Sequence, residues 1–302
     1  ILAMAAGVLL LAGEIAVAQP GGGGRGGFGG FGGGPAGPPA PVPEVVAMER
    51  PTDAELETLR AEVRRFIESG ESAHADLLRK YAGLISVEAP RPNPCIRPTP
   101  GVRAPRHDRF VEIANEGGFD ILFHGDSITD WWQMDSPLGG KAVFEKYFGD
   151  MKVANFAVAG DTTQGILWGL QNGEGQGHKP KAVMLMIGTN STGNASAEEI
   201  AEGVGAVVLR LRSDFPDAKI LLLAIFPRGR AGDDVRTKID RVNEIIARLD
   251  DGEHVFFKNI NEHFLAEDGS LIGFREDNLH PVEEGYEIWA QQVAPILKEW
   301  VQ

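Results

Sequence analysis

From Arg106 onward the apolar positions alternate between short runs of strand length and longer amphipathic stretches. Phe119–Phe123, Val153–Val158, Ala182–Ile187, Ile220–Ile225 and Val255–Ile260 are the short runs, and each predicts a buried strand. Between them, Ser196–Arg212 sets Ile200, Val204, Val207, Val208 and Leu211 on one helical face. Asp234–Leu249 reads as another helix and Glu283–Val301 as the last. Apolar strands alternating with amphipathic helices predict an α/β fold, a three-layer α/β/α sandwich around a five-stranded parallel sheet. In such folds ligands gather beyond the carboxyl ends of the strands. No internal repeat is visible.

The first hundred residues follow other patterns. Thr52-Asp53-Ala54-Glu55 is a capping box, and Leu56, Leu59, Val63, Phe66 and Ile67 follow on one helical face. A second helical stretch covers Ala73–Leu84. Together they predict a helical hairpin over residues 51–94, free either to pack on the following domain or to mediate self-association. Residues 88–105 are rich in proline and predict an irregular connector. The α/β domain is expected over 95–302.

Residues 20–43 are almost all Gly, Pro and Ala, which cannot bury enough apolar surface to offset chain entropy. A disordered tether is expected over 19–50, with a sticky surface-binding tail as the alternative. Residues 1–18 combine an apolar stretch too short to span a bilayer with Ala16-Val17-Ala18, a small-residue cleavage pattern. They read as a signal peptide cut after Ala18 rather than a short membrane anchor, although Glu14 and the missing basic segment fit neither. A secreted or periplasmic address follows, with no stable membrane insertion after cleavage.

Composition narrows the partners. The net charge of −14 disfavours phosphate backbones, so nucleic acid is not expected. One cysteine, Cys95, allows neither an intrachain disulfide nor a cysteine-based metal site.

Three predicted strands end in small and polar clusters. The first runs into His124-Gly125-Asp126-Ser127-Ile128-Thr129, the second into Ala159-Gly160-Asp161-Thr162-Thr163, the third into Gly188-Thr189-Asn190. A serine between a strand end and a helix start is held out at the sheet edge among backbone N–H groups. Ester hydrolysis needs a nucleophile, a base and donors for the oxyanion. Ser127 offers the hydroxyl; its own N–H, the Gly160 N–H and the Asn190 amide are candidate donors. His280 in Asp277-Asn278-Leu279-His280-Pro281 is the candidate base, with Asp277 to fix its tautomer. Each residue alone has an ordinary structural role; it is the ordered set that points to chemistry. Thr129 occupies the last place of what would be Gly-x-Ser-x-Gly, which argues against the ordinary α/β-hydrolase fold.

These blocks resemble the GDSL/SGNH hydrolases, with Ser127, Gly160, Asn190 and His280 at the four positions that name the family. Within it, the resemblance runs to the catalytic subunits of platelet-activating-factor acetylhydrolase isoform Ib and their bacterial secreted relatives. It rests on Gly160-Asp161-Thr162-Thr163, Leu167-Trp168, Gln171-Asn172-Gly173-Glu174, Gly188-Thr189-Asn190 and Phe226-Pro227-Arg228-Gly229. It spans about residues 106–300. The resemblance implies a flavodoxin-like SGNH fold, catalytic Ser127, Asp277 and His280, an oxyanion hole of Ser127, Gly160 and Asn190, and neither metal nor organic cofactor. It also implies possible homodimers, since the resembling subunits dimerise.

The expected activity is removal of short acyl groups, acetyl above all, from acetylated carbohydrate through an acyl-serine. The alternatives are an acetylhydrolase of platelet-activating-factor-like lipids, or a non-catalytic carbohydrate-binding protein of the same fold. Trp131 and Trp132 could line a substrate pocket, or one of them could pack on the core. Arg228 could reach into the cleft or be solvated. Trp168, Met184 and Met186 read as core, and His124 as support for the nucleophile loop. His74, His107, His178, His254 and His263 show no fitting partner pattern. Asn190-Ser191-Thr192 and Asn194-Ala195-Ser196 are formal glycosylation sequons, and a glycan on Asn190 would block the pocket.

Overall fold

A computed structural model describes residues 36–70 and 73–302. The signal segment expected at 1–18 and most of the Gly/Pro tether lie outside the described residues. Five parallel strands form one sheet in the order β2-β1-β3-β4-β5: β1 (Ile121–Gly125), β2 (Val153–Asn155), β3 (Ala182–Met186), β4 (Lys219–Leu223) and β5 (Val255–Lys258). All five coincide with the predicted apolar runs, each ending one to three residues from its expected limit. β1 and β3 are buried along their whole length, as strands covered on both faces must be.

Successive residues of each strand feed opposite layers. Leu122, Val183, Leu185, Ile220 and Leu222 pack with α3 (Ala104–Glu116), α6 (Thr163–Gly169), α7 (Ala197–Asp214) and α8 (Asp234–Ile246). Ile121, Phe123, Met184, Met186, Leu221 and Leu223 face the other layer, of α5 (Lys141–Phe148) and α9 (Glu283–Val301). The two methionines are core, as their alternation predicts.

The hairpin is present as α1 (Asp53–Ser69) and α2 (Ala73–Lys80). The Thr52 hydroxyl accepts from the Glu55 N–H, and the Glu55 carboxylate accepts from the Thr52 N–H at 2.8 Å. The tether expected over 19–50 needs correction in its described part. From Gly37 the chain is laid along the following domain: the Gly37 N–H donates to Pro98 O at 2.8 Å and the Ala40 N–H to Ile96 O at 2.7 Å. Val46 is buried against Gly205 of α7, where a Cβ would stand 2.5 Å from the valine methyl. Arg50 then grips buried Glu202 with two bonds of 2.7 and 2.6 Å. Asn93, returning from the hairpin, donates to the same carboxylate at 2.7 Å. Composition predicted disorder because Gly and Pro dominate; the few apolar side chains among them find a small-residue helix face that lets the backbone approach.

Candidate active site

In this sheet β1 is the switch point: β2 lies on one side and β3 on the other. A crevice therefore opens beyond its carboxyl end. Ser127 follows β1, Gly160 follows β2 and Asn190 follows β3, so the three clusters meet there.

Local packing dictates the turn that carries Ser127. A Cβ on Gly125 would meet the Thr129 hydroxyl at 2.4 Å and Met186 O at 2.6 Å, so only glycine fits. Asp126 caps the short helix α4 (Ser127–Asp130) by accepting from the Ile128 N–H at 3.1 Å. Its carboxyl is wholly buried, and burial pushes it up to about 7 against that hydrogen bond. The Tyr286 hydroxyl of α9 donates to Ile128 O at 2.8 Å and ties the helix to the far layer.

The Ser127 hydroxyl lies 2.9 Å from His280 Nε2, and His280 Nδ1 lies 2.7 Å from Asp277 Oδ2. Asp277 also accepts from the N–H groups of Leu279 and His280 at 2.9 and 3.0 Å. Burial alone would raise its carboxyl; those hydrogen bonds outweigh it and hold Asp277 below the ordinary carboxylate range. Asn278 takes a left-handed φ of 51°, and the Gly229 N–H donates to its carbonyl at 2.8 Å, which pins the turn to the end of β4.

The candidate oxyanion donors converge on the same crevice. Gly160 has φ +82°, a conformation natural to glycine. Among the described residues its N–H has no hydrogen-bond acceptor. One hydrogen of the Asn190 amide goes to Asp161 O at 2.8 Å, which leaves the other available.

The two tryptophans separate. Trp131 sits over His280 with ring centroids 4.1 Å apart, and the Arg275 guanidinium lies 4.3 Å from the centroid of the same indole. Trp132 corrects the expectation of a pocket residue: it is wholly buried among Trp289, Tyr286 and Phe148. Both lie in one 3-10 turn, where consecutive side chains point about 120° apart, so one indole facing the cleft turns the next inward. Arg228 is not simply solvated: its Nη1 donates to Thr189 O at 3.0 Å and braces the loop that carries Asn190. A groove of about 510 Å³ runs beside Asp277, lined by Asn190, Thr192, Gly193, Arg228, Gly229 and Val235.

Other side chains at this edge gave no local signal. Asp130 accepts from Arg106 at 2.7 Å and from the Ala159 N–H at 3.1 Å, joining the Ser127 helix to the Gly160 turn. His107, for which no partner was expected, bonds Glu174 at 2.8 Å and packs on Trp168 at 4.5 Å, leaving that indole half-buried rather than core. His124 is buried, among the described residues neither of its ring nitrogens has a hydrogen-bond partner, and burial holds it well below the usual imidazole range. Among the described residues no three His, Cys, Asp or Glu side chains cluster to hold a metal ion.

The chain is a carboxylic ester hydrolase, and its parallel sheet brings a serine, a histidine and an aspartate into one hydrogen-bonded line beyond the switch point. The chain belongs to the GDSL-like lipase/acylhydrolase family, whose model matches residues 123–288. It is 34% identical over 167 residues to platelet-activating factor acetylhydrolase IB subunit alpha2 of Gallus gallus, covering 55% of this chain and 70% of that one. It is 35% identical to the IB subunit beta homolog of Drosophila melanogaster, covering 59% and 80%. A GDSL-like lipase structure from Bacteroides thetaiotaomicron shares the fold at a TM-score of 0.51 and 16% identity, over 64% of this chain and 97% of that one.

Proposed function

We propose that this esterase removes short acyl groups, acetyl first, from O-acylated carbohydrate through an acyl-Ser127 intermediate. The hydrogen-bonded line Ser127–His280–Asp277, with spacings of 2.9 and 2.7 Å, carries the reading. Ser127 Oγ attacks the acyl carbon while His280 Nε2 takes its proton. The carbonyl oxygen becomes an oxyanion held by the N–H groups of Ser127 and Gly160 and the Asn190 amide. His280 returns the proton to the leaving alkoxide as the bond to the alcohol breaks. Water then attacks the acyl-serine, again giving its proton to His280, and Ser127 leaves with that proton as the carboxylic acid departs. Asp277 accepts the Nδ1–H throughout.

The mainly polar groove beside Asp277 supports a hydroxyl-rich alcohol portion. The acetylhydrolase names of the relatives at 34 and 35% identity support acetyl, and equally support a second reading, an ether-lipid acetylhydrolase. The signal segment expected at 1–18 supports an exported enzyme.

The test is hydrolysis of p-nitrophenyl acetate and butyrate, an acetylated xylo-oligosaccharide and platelet-activating factor, by wild type and Ser127→Ala. Acetate turnover that vanishes in the variant, with the sugar preferred, is the expected result. Preference for the ether lipid would select the second reading. No turnover by folded wild type in any of the four assays would leave a binding protein, and equal turnover by wild type and variant would remove Ser127 as nucleophile.

A further inference from the structure

Buried behind the Gly160 turn lies an ionic cluster that the triad does not use. Arg103, just ahead of α3 and outside the family-matched residues, is wholly buried. Its guanidinium makes three bonds: Nε to Asp161 Oδ2 at 2.9 Å, Nη1 to Glu174 Oε2 at 2.6 Å and Nη2 to Phe156 O at 2.9 Å. Phe156 and Asp161 bracket Gly160 in sequence. One rigid planar fork therefore grips the chain on both sides of the turn.

The grip continues outward. Asp161 Oδ1 accepts from the Thr162 N–H at 2.8 Å, and Asp161 O accepts from Asn190 Nδ2 at 2.8 Å. The residue held by Arg103 thus directly follows the Gly160 donor and orients the Asn190 donor. Behind it, Glu174 is fixed by His107 at 2.8 Å and fills the space that a side chain on Gly169 would need.

Burying one arginine and two carboxylates is costly, and well-packed apolar side chains often serve stability as well or better. The contacts are better explained by what they orient. We infer that Arg103 is a positioning residue for the oxyanion site: through Asp161 it holds the Gly160 N–H and the Asn190 amide at the spacing that the tetrahedral intermediate requires. The inference rests on the proposed roles of Ser127, Gly160 and Asn190. It predicts a loss specific to the transition state, because a misplaced donor weakens the oxyanion more than the neutral ester.

The experiment uses Arg103→Lys and Asp161→Asn in the full chain, with Ser127→Ala beside them. Folding is checked by near-UV circular dichroism, and active serines are counted by stoichiometric phosphorylation with diethyl p-nitrophenyl phosphate. Per active serine, kcat for p-nitrophenyl acetate should fall about 100-fold in Arg103→Lys, within the range for loss of an oxyanion donor, with KM changed by less than about twofold. Affinity for methylboronic acid, which forms a tetrahedral adduct, should fall with kcat/KM. Asp161→Asn keeps the side-chain shape and should show the same selective loss, smaller in size. A folded Arg103→Lys with wild-type kcat per active serine overturns the inference. If that variant does not fold, Asp161→Asn decides alone, and a wild-type kcat there overturns it. Activity persisting in Ser127→Ala would instead sink the underlying site reading, and the inference with it.

Discussion

The indole of Trp131 and the imidazole of His280 lie with centroids 4.1 Å apart and planes inclined by 31°. That contact limits the tilt of the imidazole, while the neighbouring Trp132 packs into the core. The pair should therefore respond oppositely to truncation. Trp132→Ala should cost about 3–5 kcal/mol of stability, as for other large buried side chains. Trp131→Ala should leave the melting temperature nearly unchanged and lower kcat/KM about tenfold, the worth of one good aromatic contact. Chemical melts and steady-state kinetics on both variants check this, and equal effects on stability would contradict the division.

Ser127→Ala and His280→Ala should each abolish all but a trace of turnover, and the double variant should be scarcely worse, because the groups act as a unit. Asn190→Ala should lower kcat by about 10²–10³. Single-turnover kinetics give the numbers; a kcat for Asn190→Ala equal to wild type would remove it from the oxyanion site.

Asp126 sets a dependence on pH. Its carboxyl titrates near 7 when folded against 3.8 as the ordinary value. Between those limits the folded chain keeps a proton that the unfolded chain has lost. Stability from this group therefore declines as pH rises from about 4 to about 7 and is level above that. Asp126→Asn keeps the helix cap but has no such proton. Its melting temperature relative to wild type should rise across that window. Parallel curves would mean that Asp126 ionises normally.

The contacts of residues 36–50 bear on where the folded unit begins. A chain starting at residue 95 should melt lower than one starting at residue 36, since Glu202 loses Arg50 and Asn93 together. Arg50→Ala alone should cost about 1.5–3 kcal/mol, the range for hydrogen bonds to a charged group. Differential scanning calorimetry distinguishes these outcomes, and equal melting of the two truncations would restore the shorter boundary.

β1, β3 and β4 were legible because an apolar run buried along almost its whole length leaves a contiguous trace, and the candidate site because Ser127, Gly160 and Asn190 follow strands while Asp277 and His280 stand together ahead of the last helix. Trp131 and Trp132 were not separable, since their fates depend on the phase of a single 3-10 turn. The Arg103–Asp161–Glu174–His107 cluster was invisible for a different reason. Arg103 and Glu174 are far apart in the chain, and each charged residue alone reads as a solvated one. The seat of residues 36–50 was hidden likewise, because it depends on a facing glycine of α7.

Glu202 receives Arg50 on the outward path and Asn93 on the return, so the chain between them begins and ends at one carboxylate. In polymer terms residues 51–92 are a loop already closed, and lengthening such a loop adds cost only logarithmically. Foreign sequence could be grafted between those anchors, or the helices exchanged, with little strain passed to the sheet. The catalytic unit thus carries a socket in which an accessory module can be swapped independently of the chemistry.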